Sequence, residues 1–109
     1  MSDVMSDSRI AKLKEFLSNE PNDPFTRYAI ALEYAGQGDT KRCVSMLEEL
    51  IKLDPKYVPA YQQLGYAYQK LDRRDDAIAI FKRGIQVAIE QGDLHARGEM
   101  QEALDETEM

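Results

Sequence analysis

One cysteine and one histidine are all that these 109 residues hold of the two side chains most often used for redox and metal chemistry. A lone Cys43 excludes an internal disulfide and any cysteine cluster for zinc or iron–sulfur binding, and it fits a reducing, cytoplasmic setting. With His95 as the sole histidine, no paired-histidine metal motif is possible, and there is neither a glycine-rich phosphate loop nor a nucleophile elbow. No apolar run approaches the roughly 18 residues needed to cross a bilayer. The stretch Met1 to Asp7 is polar and acidic where a secretory signal is basic and then apolar, so no membrane association is expected and residues 1–7 are expected to be disordered.

An excess of basic residues is also missing. The formal charge is −6, and residues 1–89 carry thirteen acids and thirteen bases, so the whole imbalance falls in residues 90–109, where Arg97 stands alone against seven acids. A nucleic-acid binder concentrates bases on one face, and no such footprint is found, so no nucleic-acid partner is expected. The acidic end reads as a solvated, solubilising segment. What is present is ordinary: 43% apolar and 31% charged residues, enough for one globular core in a chain of this length.

Internal repetition supplies the organising signal. Residues 47–64, LEELIKLDPKYVPAYQQL, lie over residues 13–30, LKEFLSNEPNDPFTRYAI, at an offset of 34 that pairs Leu47 with Leu13, Ile51 with Leu17, Pro55 with Pro21 and Leu64 with Ile30. The same offset pairs Ala31 with Gly65, Tyr34 with Tyr68, Cys43 with Ala77 and Leu47 with Phe81. Each pair keeps its physical class, so one structural unit is used twice.

Local signals make that unit a pair of helices. Asp7 or Ser8 can cap a first helix bearing Ile10, Leu13, Phe16 and Leu17, which Pro21 stops. Asp23 before Pro24 opens a second helix to about Gly36, since proline at the first helical position forfeits no hydrogen bond. Gly38 and Asp39 turn the chain into a third helix, Thr40 to Leu53, with Val44, Leu47 and Ile51 on one stripe, closed by Pro55. The fourth runs from Val58 to about Leu71. Asp72 and Asp75 have capping-box spacing before a fifth helix, with Ala77, Ile78, Phe81 and Ile85 expected to face inward and Gly92 to end it. Asp93 caps a sixth, on which Ala96, Met100, Ala103 and Leu104 form one stripe.

The run Tyr61, Leu64, Gly65, Tyr68, Ala77, Phe81, Gly84 resembles the tetratricopeptide repeat, with large, large, small, large on one helix and small, large, small on the next. The preceding unit matches more loosely through Ile30, Ala31, Tyr34, Cys43, Leu47 and Pro55. The small residues let helices approach, the aromatics fill the space beside them, and the proline releases the next hairpin. Gly84 carries particular weight, because a glycine inside a helix costs about 0.8–1.0 kcal/mol relative to alanine and so signals a close neighbour. The resemblance implies an all-α, right-handed stack of antiparallel hairpins with about six helices: a half repeat over 8–22, repeats over 24–57 and 58–91, a capping helix over 93–106 and a tail over 107–109. Three positions depart from the pattern. Arg27 replaces a large aromatic, Leu50 an alanine and Ile89 the terminating proline, so the fifth helix is expected to continue to about Gln91.

Candidates for catalysis are few. His95 falls in the first turn of the last helix, where an exposed structural role is expected, and Cys43 occupies a position that the repeat reserves for a small residue. Asp72, Asp75 and Asp76 lack the glycine and the oxygen spacing of a calcium loop. No catalytic residue, metal or cofactor is expected. The resemblance implies instead a concave groove lined by the first helix of each hairpin. Its residues here are Phe25, Tyr28 and Leu32 on one helix and Gln62, Gln63, Tyr66, Gln69 and Lys70 on the next, and the steps Tyr28 to Leu32 and Tyr66 to Lys70 each stay on one face. Family members that clamp an acidic chaperone tail use a lysine and an asparagine where Tyr28 and Leu32 stand, so an apolar or aromatic anchor is expected. The partner is then a protein or peptide held without catalysis. A homodimer using the same apolar surface, and an enzyme with an unrecognised site, are the alternatives.

The small residues yield a direct test. Gly65→Leu and Ala77→Leu should each overpack the helix contacts and lower stability by about 1–3 kcal/mol in denaturant titrations. Unchanged stability in both variants would contradict the repeat.

Overall fold

The computed structural model describes residues 4–109, and those residues form six helices: α1 (Val4–Asn19), α2 (Pro24–Gly36), α3 (Thr40–Leu53), α4 (Val58–Lys70), α5 (Arg74–Gln91) and α6 (Leu94–Glu108). Each helix packs against the next, and α4 also meets α6, which gives a stack of hairpins 38 × 30 × 20 Å. Helix α1 starts earlier than the polar composition of residues 1–7 suggests. The reason is tertiary. Ser6 is buried against α2 and donates to Glu33 Oε2 at 2.6 Å, and Arg9 donates to the same carboxylate from Nε at 2.8 Å and from Nη2 at 3.2 Å. The remaining part of that expected arm, residues 1–3, lies outside the described residues.

The turns repeat as closely as the helices. Gly38 and Asp72, one repeat apart, both adopt positive φ, of 80° and 58°. In each turn the next amide returns to the first helix, with Asp39 N–H donating to Tyr34 O and Arg73 N–H to Tyr68 O, both at 2.9 Å. Asp72 is therefore not the expected cap of α5. It fills a left-handed slot that aspartate tolerates better than most residues, and the cap position belongs to Arg73, whose side chain makes no capping bond. Asp75 and Asp76 in the first turn offset the exposed amides through the helix dipole. Asp39 and Asp93 do cap, accepting from the N–H groups of Arg42 and Ala96. Asp23 precedes α2 but makes no side-chain capping bond; it accepts instead from the Thr26 hydroxyl. Gly92, at φ 73°, ends α5 after Gln91.

The core is a set of rings set into small residues. Tyr61, Phe81, Ile30, Leu47, Leu50, Leu64 and Met100 are fully buried, each side chain of this size stabilising the fold by about 1.5–3 kcal/mol. A Cβ at Gly65 would sit 2.2 Å from Phe81 Cε1, and one at Gly84 would sit 2.6 Å from Met100 Sδ and 2.7 Å from Tyr61 Cβ. Helix α5 turns Ala77, Ile80, Phe81, Gly84 and Ala88 inward. Ile78 and Ile85, expected inside, are only half-buried, and Phe16 on α1 is 51% exposed because that terminal helix packs on one side only.

The two departures in the first full repeat compensate each other. Tyr61 donates its hydroxyl to Pro55 O at 2.6 Å, and Arg27, at the equivalent position, donates Nη2 to Pro21 O at 3.1 Å while pairing with Glu49 at 3.3 Å. Where the second repeat sets Tyr61 against Gly84, the first sets the slimmer Arg27 stem in place of the ring and fills the space with buried Leu50.

The Glu33 carboxyl is held below its usual range first by the Arg9 hydrogen bond and then by that of Ser6. A depressed carboxyl stabilises above its unfolded value and loses that contribution as pH falls through the folded value. Lowering the pH below the ordinary glutamate range should therefore detach α1 before the rest of the stack. Glu33→Gln at neutral pH should reproduce this, lowering amide-exchange protection in α1 about threefold to fivefold with α3–α5 unchanged, a modest change because Arg9 is half exposed.

Candidate functional site

Helices α2, α4 and α6 are the first members of successive hairpins, and side chains join them along one seam. Tyr28 on α2 sets its ring against Tyr57 at the entry to α4, and Gln69 on α4 donates Nε2 to Thr107 Oγ1 on α6 at 2.7 Å. Within α4, Gln62 donates Nε2 to Tyr66 Oη at 3.1 Å, and the Tyr66 ring meets the edge of Phe81 with centroids 5.8 Å apart. The seam rests on the core through that ring.

Four of the eight expected residues, Phe25, Leu32, Gln69 and Lys70, are exposed, and the other four are half-buried. Phe25 is 66% exposed in the first turn of α2, Leu32 is 38% exposed one turn beyond Tyr28, and Tyr28 and Tyr66 are half-buried. Lys70 is exposed at the end of α4. Gln62 and Gln69 carry bonds within the molecule, so an arriving segment would exchange those bonds or accept from amide protons left over. Each side-chain amide has two N–H groups, which leaves donors for that exchange.

Tyr57 joins this surface although no periodicity marks it. It lies in the turn before α4, half-buried, with its ring edge-on to Tyr28 and centroids 5.5 Å apart. The spacing of helix residues cannot report a turn side chain. A sign was available in the sequence all the same, because an aromatic residue directly before Val58-Pro59 has an apolar neighbour to meet.

Burial pushes the Tyr28 phenol above its usual value, with Tyr57 adding to the effect, and burial likewise pushes Tyr57 up. Both remain protonated donors near neutral pH. Burial also raises the Cys43 thiol, which weakens it as a nucleophile. His95 is exposed and meets Glu99 at 3.0 Å on its own helix. Among the described residues no group of three or more His, Cys, Asp or Glu side chains is arranged to hold a metal ion, and no helix is long and apolar enough to cross a membrane.

Comparison with known proteins agrees with this architecture. Residues 34–96 match the family model described as the tetratricopeptide repeat. A TPR repeat-containing protein of Pseudomonas aeruginosa is 28% identical over 91 residues, which span 84% of this chain and 87% of that protein. The solution structure of a tetratricopeptide repeat domain protein from Salinibacter ruber is 44% identical, with a TM-score of 0.77, over 81% of this chain and 89% of its own. The TPR2B domain of yeast Sti1, solved in complex with pHsp70, superimposes with a TM-score of 0.88 over 94% of this chain and 82% of its own at 14% identity, a likeness of fold alone.

Proposed function

The chain belongs to the tetratricopeptide-repeat family, and from that premise we propose that it is a non-catalytic interaction module, cytoplasmic in setting, which holds a segment of another polypeptide against α2 and α4. The observation that carries this reading is the sheltered Tyr28, edge-on to Tyr57, beside the exposed Phe25 and Leu32. An aromatic ring already ordered by its neighbours costs little conformational entropy when a ligand covers it.

The segment held there carries an apolar or aromatic anchor over Phe25, Tyr28, Leu32 and Tyr66, and the amides of Gln62, Gln63 and Gln69 orient its backbone. Lys70 is the only cation of the set, so the binding free energy is mostly non-ionic and affinity depends weakly on salt. The Sti1 domain, solved with pHsp70, supports peptide or protein binding as a use of this fold.

The same exposed apolar residues support a second reading, a homodimer through α2. Tyr28→Asp separates the two: it should convert a dimer into a monomer with unchanged helix content, or, if the wild type is monomeric across a dilution series, weaken an apolar peptide about tenfold or more. Titration with a hydrophobic peptide library and with an acidic-tailed peptide, at low and high ionic strength, tests the ligand class. Apolar-anchored peptides should bind with little salt dependence. Binding of the acidic peptide alone, salt-sensitive and abolished by Tyr28→Asp, would overturn the proposal.

A further inference from the structure

A cleft of about 350 Å³ lies among α3, α4 and α5, lined by none of the seam residues. Ile51, Leu64, Tyr68 and Ile80 supply its apolar lining, and Lys52 and Arg83 in the same lining are exposed. Lys52 and Arg83 make no ion pair among the described residues. Arg83 lies instead over the Tyr61 ring, 5.5 Å from its centroid. The one acid in the cleft is engaged, since Glu48 Oε2 accepts from the Tyr68 hydroxyl at 2.6 Å. A second cleft, of about 380 Å³, shares Glu48 and continues along the same valley to Lys41 and Arg73.

We propose that this valley is a second binding surface, independent of the α2–α4 face, for an acidic segment of a partner protein that carries a bulky apolar side chain between its carboxylates. The pattern of charge selects the ligand. Lys52 and Arg83 stand at one end and Lys41 at the other, beside an Arg73 that is paired with Asp76, with Glu48 and apolar walls between them. A ligand with carboxylates at its ends and an uncharged centre meets attraction at both ends and no repulsion in the middle. A phosphate backbone, charged at every step, would be forced against Glu48. The apolar side chain packs against Ile51 and Ile80, where a volume of this size accommodates one leucine or phenylalanine. Its cations lie on α3, on α5 and in the turn before α5, and α4 contributes to the first cleft only Leu64 and Tyr68, which are not seam residues, so both surfaces can be filled at once.

The test is fluorescence anisotropy on the full chain with a labelled peptide bearing two glutamates on each side of a leucine-containing uncharged centre, and with its counterpart in which glutamine replaces glutamate. The acidic peptide should bind and weaken with added salt; the glutamine counterpart should bind about tenfold or more weakly. Lys52→Glu and Arg83→Glu should each reduce binding about tenfold. Glu48→Gln should strengthen it about threefold by removing a nearby like charge, and Tyr28→Asp should leave it unchanged. Circular dichroism of each variant confirms the fold, and Lys52→Glu alters no contact of the core, so its loss of binding is not attributable to unfolding. No binding of the acidic peptide at low salt, equal binding of its counterpart, or binding abolished by Tyr28→Asp and not by Lys52→Glu would overturn the proposal. Self-association of the wild type that Lys52→Glu abolishes would overturn it too, assigning the valley to the acidic α6 of a second copy.

Discussion

Everything in this fold depends on how closely three helices can approach. Phe81 lies where a side chain at Gly65 would be, and Tyr61 and Met100 lie where one at Gly84 would be. Interiors are packed near the density of organic crystals, so a missing Cβ on one helix must be matched by a ring or thioether on another. That matching joins α4 to α5 through Phe81 and α5 to α6 through Met100. It also sets the direction in which the next hairpin leaves, and with it the surfaces that α2, α4 and α6 present.

The first full repeat shows that the requirement is on volume and hydrogen bonding rather than on residue identity. Arg27 and Leu50 replace a ring and a small residue, yet the bond to the proline carbonyl six residues back is kept, made by a guanidinium in place of a phenol. The same economy is seen at the turns, where glycine in one repeat and aspartate in the other hold the same positive φ. The exchange is not free of consequence. Arg27 Nε is left without a hydrogen-bond partner in the interior, a cost that the buried tyrosine at the equivalent position does not incur.

Two surfaces of different chemistry result from one stack. The first helices carry tyrosines and amides, which recognise shape and backbone. The second helices carry cations around an apolar cleft, which recognise charge pattern. Tyr68, on α4, connects them: it lines the cleft, its hydroxyl donates to Glu48, and burial followed by that hydrogen bond raises its phenol far above the usual value. Arg73 covers the same ring, 4.5 Å from the centroid.

Period and punctuation were legible without coordinates. The offset of 34, the prolines before α2 and after α3, and Gly92 placed five of the six helices within a residue or two, because backbone rules act locally and do not wait for neighbours. The buried stripe of α6, Ala96, Met100, Ala103 and Leu104, was legible for the same reason. What only the tertiary structure decided depends on partners distant in sequence. The start of α1 is set by Glu33 reaching Ser6 and Arg9, the exposure of Phe16 by the absence of a helix on its outer side among the described residues, and the inward turn of Ile80 over Ile78 by the packing of α5 on α4 and α6. Tyr57 entered the seam through a turn that carries no periodicity, and Gln62 and Gln69 proved to be bonded already, because side-chain amides take whatever donor or acceptor the fold brings within reach. Spacing along the chain determined which residues share a helix face; the packing of one helix on another decided which of those faces meets protein and which meets water.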